Sequence, residues 1–164
     1  MSTDKCNAWL LPIADDSYAA TGEFELVHVI MDWVRLFSVP KAPPYCKNLF
    51  IWQGQLIPLF DMETYIQQSG ERQQDSVRNA GYICIVAYQS EVEDGDVKYG
   101  GLLLKAMPYR TTVGDEQACG FPEGNMDWAN IALSCFEDPA LGAVPILDLA
   151  KIFSSRPDSL QRAA

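Results

Sequence analysis

Histidine, cysteine and carboxylate side chains are where a chain of this size would hold reactive groups, and their spacing here limits the chemistry. The one histidine, His28, stands between Val27 and Val29 in an apolar run. A nucleophile relay needs a histidine beside a serine or cysteine and an orienting carboxylate. Five cysteines are present (Cys6, Cys46, Cys84, Cys119 and Cys135), with no C-x-x-C pair among them. One histidine and scattered thiols do not complete the usual zinc sets. The sequence therefore predicts no catalytic residue, no metal and no cofactor. The competing enzyme reading is a thiol-dependent hydrolase using Cys84 or Cys119 with His28, for which no motif spacing speaks. The acidic run Glu91, Glu93, Asp94 and Asp96 lacks the terminal bidentate glutamate of a calcium loop and reads as a solvated hairpin tip. Neither a G-x-x-x-x-G-K-S/T loop nor a G-x-G-x-x-G turn is present to cradle phosphate.

Two aspartates do stand in matching surroundings. Residues 56–66, LIPLFDMETYI, align without gaps against residues 143–153, AVPILDLAKIF. In each copy an apolar strand carrying a proline (Pro58, Pro145) runs into an aspartate (Asp61, Asp148), after which apolar residues recur at helical spacing. An aspartate there can accept a hydrogen bond from an otherwise unpaired helix N–H and suits the positive end of the helix, a contribution of about 1 kcal/mol. Nothing else titratable repeats with the two residues, so capping is the reading adopted rather than acid–base chemistry. Proline cannot donate to a ladder, which assigns Pro58 and Pro145 to a strand start, an edge or a bulge. Two similar β units, each closed by a helix, are implied.

The elements that must position these residues are mainly strands. Short runs rich in β-branched and aromatic residues occur at 9–14, 49–53, 56–61, 82–88, 99–105, 131–136 and 143–147. Asp94-Gly95 supplies a tight turn joining two of them into a hairpin over 82–105. Gly54-Gln55 separates the runs 49–53 and 56–61 at hairpin distance. Leu49 and Ile51 fall on one face of their run, Phe50 and Trp52 on the other, so both faces are expected to be covered. Between Gly22 and Phe37 a stripe of Leu26, Ile30, Trp33 and Phe37 predicts a short helix followed by a strand. Pro40, Pro43 and Pro44 then force an extended path. Residues 67–79 and 111–127 read as long loops.

Composition sets the wider frame. At 164 residues the chain can bury a substantial core without disulfides. No apolar stretch approaches the roughly 20 residues that span a bilayer, and the first residues show no secretory signal, so a soluble cytoplasmic protein is expected, with reduced thiols and no membrane insertion. A net charge of −10 would repel a phosphate backbone, which argues against nucleic acid as a partner.

The run from Val39 to Met62, VPKAPPYCKNLFIWQGQLIPLFDM, resembles the core motif of the CheW chemotaxis coupling family: a proline-bounded approach, a strand, an R-G turn, and a second strand ending in P-x-x-D-L. Residues 100–106, GGLLLKA, resemble a further strand of that family, and 143–153 its closing strand and helix. The resemblance implies a mainly β fold of two SH3-like five-stranded barrels sharing a hydrophobic core, with short helices. It extends over residues 9–153 as one domain, leaving 1–8 and 154–164 as tails. It also implies a non-enzymatic adaptor that binds the regulatory domain of a CheA-like histidine kinase and the cytoplasmic tip of a chemoreceptor. Contacts are expected around Val27 and Ile30, at Asn48, and at the turn Gln53, Gly54 and Gln55. Three positions depart from the family pattern: Gln53 replaces the arginine before the turn glycine, Asn48 a glycine, and Lys105 an aspartate. The first removes a charged, forked donor. An alternative role is therefore a divergent scaffold outside receptor arrays, such as an accessory of a pilus chemosensory system.

Overall fold

A computed structural model describes residues 4–32, 34–67, 82–90, 95–124 and 127–154. Trp33, the acidic residues Glu91, Glu93 and Asp94, and all but the first residue of the expected loop at 67–79 lie outside the described residues. The strands are β1 (Lys5–Ala14), β2 (Ser17–Gly22), β3 (Leu26–Ile30), β4 (Phe37–Ser38), β5 (Asn48–Trp52), β6 (Gln55–Asp61), β7 (Tyr82–Gln89), β8 (Val97–Leu104), β9 (Tyr109–Gly114), β10 (Ala132–Asp138) and β11 (Gly142–Leu147). Two short helices, α1 (Met62–Gln67) and α2 (Leu149–Ser154), follow β6 and β11.

The strands form two sheets, ordered β3-β7-β8-β6-β5-β4 and β9-β1-β2-β11-β10. Their pairing repeats. In the first, hairpin β5–β6 joins hairpin β7–β8 through a parallel β6–β8 contact, and β3 lines β7 antiparallel. In the second, hairpin β10–β11 joins hairpin β1–β2 through a parallel contact at Ile146↔Ala20, and β9 lines β1 antiparallel. The N-terminal hairpin thus takes in the second unit the place that β7–β8 takes in the first. Both units are needed to account for the doubled segment: β6–α1 and β11–α2 occupy equivalent positions.

Alternating side chains on these strands separate into three apolar layers. Phe50, Ile57, Leu59, Ile83, Ile85 and Leu103 fill the first unit, while Leu10, Ala20, Phe136 and Val144 fill the second. Between them lies a shared core that includes Leu11, Ile13, Phe60, Met62, Cys84, Leu102, Leu104, Leu147 and Leu149. Strands at the join are buried on both faces, and for this reason β7 and β8 show no polar alternation. The helices interlock the units: α1 packs on β1 and α2 on β7.

Each helix starts at its aspartate. Asp61 Oδ1 accepts from Thr64 N–H (3.2 Å) and its Oδ2 from the Thr64 hydroxyl (2.7 Å), and Asp148 Oδ1 accepts from Lys151 N–H (3.1 Å). Pro58 and Pro145 sit inside interior strands, contrary to the expected start, edge or bulge. The parallel ladder accounts for this: in both units it begins one residue after the proline, at Leu59 and Ile146, so the missing N–H costs no ladder bond.

Other expectations change. Residues 26–30 are strand β3 with no preceding helix, because Leu26, His28, Val29 and Ile30 pair with β7, with Val27 at a register shift between them, and this ladder outweighs the helical stripe. The supposed loop 111–127 begins inside β9 and continues as a short 3-10 turn at Asp115–Gln117. The β5–β6 turn is Gln53-Gly54 rather than Gly54-Gln55, since Trp52 pairs with Gln55. Both turn residues have positive φ (49° and 76°), the type I′ geometry whose twist suits a two-residue hairpin.

Candidate protein-docking site

Hairpin β5–β6 combines an apolar interior with an apolar exterior. Phe50 and Ile57, paired across the strands, point into the first unit and are fully buried. Their neighbours Ile51 and Leu56 are also directly paired but point outward, with 56% and 59% of their surface exposed. Leu49 on the same face lies against exposed Phe37 of β4. The sequence expectation that both faces of this run are covered therefore holds for the end of β6, which meets the shared core, and fails for its beginning.

Aromatic contacts tie this hairpin to the opposite edge of its sheet. Trp52 stacks on His28 of β3 (6.4 Å between centroids) and meets Tyr99 of β8 edge-on at 5.4 Å. Because β3 and β4 lie at opposite edges yet follow one another in sequence, the chain between them closes the sheet into a barrel, and His28–Trp52 is the contact across that closure.

The expected contact residues divide accordingly. Gln53, Gly54 and Gln55 are exposed at the hairpin tip, and Val27 is exposed on β3 beside the stacked His28. Ile30 is half-buried against the barrel interior. Asn48 stands about 13 Å up β5 from Trp52 by strand rise, paired with Ser38 of β4. Sequence reasoning missed Ile51, Leu56 and Phe37 as surface residues; the internal echo carried a signal, since Leu56 aligns with the small Ala143.

The thiol–imidazole pair does not assemble. Val29 pairs with Cys84, which is buried in the shared core, whereas His28 pairs with Ile85 and turns to Trp52. Burial pushes the Cys84 thiol up to about 12, disfavouring the thiolate a nucleophile requires. Cys119 belongs to the second unit, beside β10. Among the described residues, no group of three or more His, Cys, Asp or Glu side chains is placed to hold a metal ion, and no helix is long and apolar enough to cross a membrane.

Residues 13–117 match the family model of the CheW-like domain. The chain belongs to the CheW-like family. Its fold is similar to the crystal structure of scaffolding protein TtCheW from Thermoanaerobacter tengcongensis, with a TM-score of 0.66 and 14% identity over 93% of this chain and 95% of that one. No curated protein matches the sequence.

In this CheW-like chain the departures from the family pattern have local structural partners. Gln53 occupies a left-handed turn position that disfavours a side chain with a Cβ. Lys105 forms an ion pair with Glu63 at 2.8 Å, tying the end of β8 to α1; that hydrogen bond leads the causes holding its ammonium above the usual range. Asn48 accepts a long hydrogen bond from the Ser38 hydroxyl at 3.5 Å.

Proposed function

We propose that this CheW-like chain is a non-enzymatic adaptor that couples chemoreceptor tips to a CheA-type histidine kinase, docking through the outer face of hairpin β5–β6 and its Gln53-Gly54 turn, with Val27 alongside. The observation that carries the reading is the exposed Ile51–Leu56 pair. Two large aliphatic side chains directly opposite one another and more than half exposed are costly to leave in water, and such a patch rimmed by polar turn residues is what a protein interface uses. Family membership supports this class of partner, and the exposed pair supports the hairpin as the surface.

The test is co-purification of the full chain with a CheA regulatory domain and with a receptor-tip fragment. Binding to either at on the order of tens of micromolar supports coupling; no binding to both overturns it. Gln53→Arg restores the forked cationic donor of the family motif and is expected to tighten the complex about threefold to tenfold, read by titration calorimetry. A weaker complex would show that the turn does not face the partner.

Gln53 also favours a second reading, a scaffold that holds another signalling protein outside receptor arrays, as in a pilus chemosensory system. Affinity capture from the protein's own cells, with Leu56→Glu as control, separates the two by the partner whose recovery depends on Leu56.

A further inference from the structure

We infer that Cys119 and Cys135 form a redox-active thiol pair that can be joined as a reversible disulfide across the closing seam of the second unit.

The two thiols lie 16 positions apart in sequence, a spacing that matches no redox motif, yet their Sγ atoms are 3.6 Å apart. Backbone geometry holds them there. Ala118 bridges Phe136 of β10 antiparallel, and Cys119 N–H donates to Cys135 O at 3.0 Å, so the two cysteines are directly opposed. Directly opposed antiparallel residues joined in this way have Cα atoms about 5.5 Å apart, inside the roughly 4.4–6.8 Å that a disulfide spans. Bond formation therefore asks for side-chain rotation rather than strand movement.

The pair is also asymmetric in a way that orders the chemistry. Cys119 is half-buried and reachable from solvent, while Cys135 is buried on β10. Burial, followed by the hydrogen bond and charge of Cys119, pushes the Cys135 thiol up to about 12, so the more accessible Cys119 is the sulfur that meets a reagent first. With a small-molecule disulfide as oxidant, Cys119 gives up its proton and attacks one sulfur, forming a mixed disulfide and expelling one thiolate. Cys135 then gives up its proton and attacks Cys119 Sγ, expelling the second thiolate. Two electrons pass from the cysteine pair to the reagent, and both protons end on the two released thiols.

The seam is where such a bond has structural effect. Cys119 follows the 3-10 turn after β9, and β10 is the opposite edge of the same sheet. The cross-link would tie closed a barrel whose seam is otherwise held by backbone pairing and by the Gln117 amide donating to Glu137 O at 3.1 Å, and it would fix the exposed Phe121 and Leu133, each two residues from a cysteine.

The experiment treats the native full chain with glutathione disulfide, alkylates free thiols, and maps peptides by mass spectrometry. The expected product is a Cys119–Cys135 cross-link that dithiothreitol reverses, with Cys46 and Cys84 left free. Cys135→Ser should trap glutathione on Cys119, and Cys119→Ser should leave Cys135 unmodified. Oxidation should raise the midpoint of thermal unfolding by roughly 6–12 °C, reversibly, as expected for closing a loop on the order of 15 residues. Modification confined to exposed Cys6, or a Cys119 adduct that persists in the wild-type chain without resolving, overturns the proposal.

Discussion

Hairpins β5–β6 and β10–β11 occupy the same place in their units, and their differences separate what the fold requires from what it leaves free. Phe50 pairs with Ile57 in one and Phe136 with Val144 in the other, and all four are buried inside their barrels. The inward positions are thus held to the same chemistry by packing. Outward, Ile51 opposes Leu56 in the first hairpin, whereas Glu137 opposes Ala143 in the second. A sheet that folds with Glu137 and Ala143 at these positions does not need Ile51 and Leu56 for its own stability. The seams differ too: the His28–Trp52 stack lies across the first and Cys119–Cys135 across the second. One unit carries an exposed apolar pair on its outer face, and the other an opposed pair of thiols.

The largest expected effect tests whether the inward equivalence is energetic. Phe50→Ala and Phe136→Ala should each cost about 3–5 kcal/mol, and because the units share a core, each should shift one common urea transition monitored by fluorescence and circular dichroism. Two separated transitions in either variant would show that the barrels unfold independently. Next comes the outward contrast. Leu56→Glu should weaken partner binding by about 2 kcal/mol while the urea midpoint stays within about 0.5 kcal/mol of wild type. Ala143→Gln at the equivalent site, which adds a long polar side chain without a like charge opposite Glu137, should change neither. Equal losses from both would place the docking surface elsewhere or on both units.

The smallest effect concerns the shared core itself. Thr21 is fully buried, and its hydroxyl has no hydrogen-bond partner among the described residues; the β2–β11 and β6–β8 registers put it where the first unit has Leu102. Thr21→Val should raise stability by about 1 kcal/mol, measured by the same denaturation. A loss would mean that the hydroxyl is satisfied in solution and that the two positions are not equivalent.

Much of this was legible before any coordinates. Short-range patterns revealed the strands of both echoed hairpins, the helix-capping aspartates, and a motif sufficient for the family resemblance. Strand β3 was misread because its stripe of Leu26 and Ile30 suits a helix equally well, and only the ladder on β7 decides between them. β2 was passed over because Ala19 and Ala20 lack the bulk that marks a strand, although Ala19 fits the shared core and Ala20 the interior of the second unit. At the candidate site a tight turn near Gly54 could be read, one residue out of register, but the outward exposure of Ile51 and Leu56 could not.

What the sequence alone determined, then, is local: which residues alternate, where helices begin, and that one β unit is written twice. These follow from backbone geometry and side-chain period, which act over a few residues. Tertiary structure decided which apolar faces meet and which stay open, because burial depends on what packs opposite and not on the residue itself. It likewise decided that β1–β2 completes the distant second unit, that His28 turns away from Cys84 toward Trp52, and that Cys119 faces Cys135. Each of these pairings is set by sheet register between segments far apart in the chain, where sequence spacing carries no information about distance.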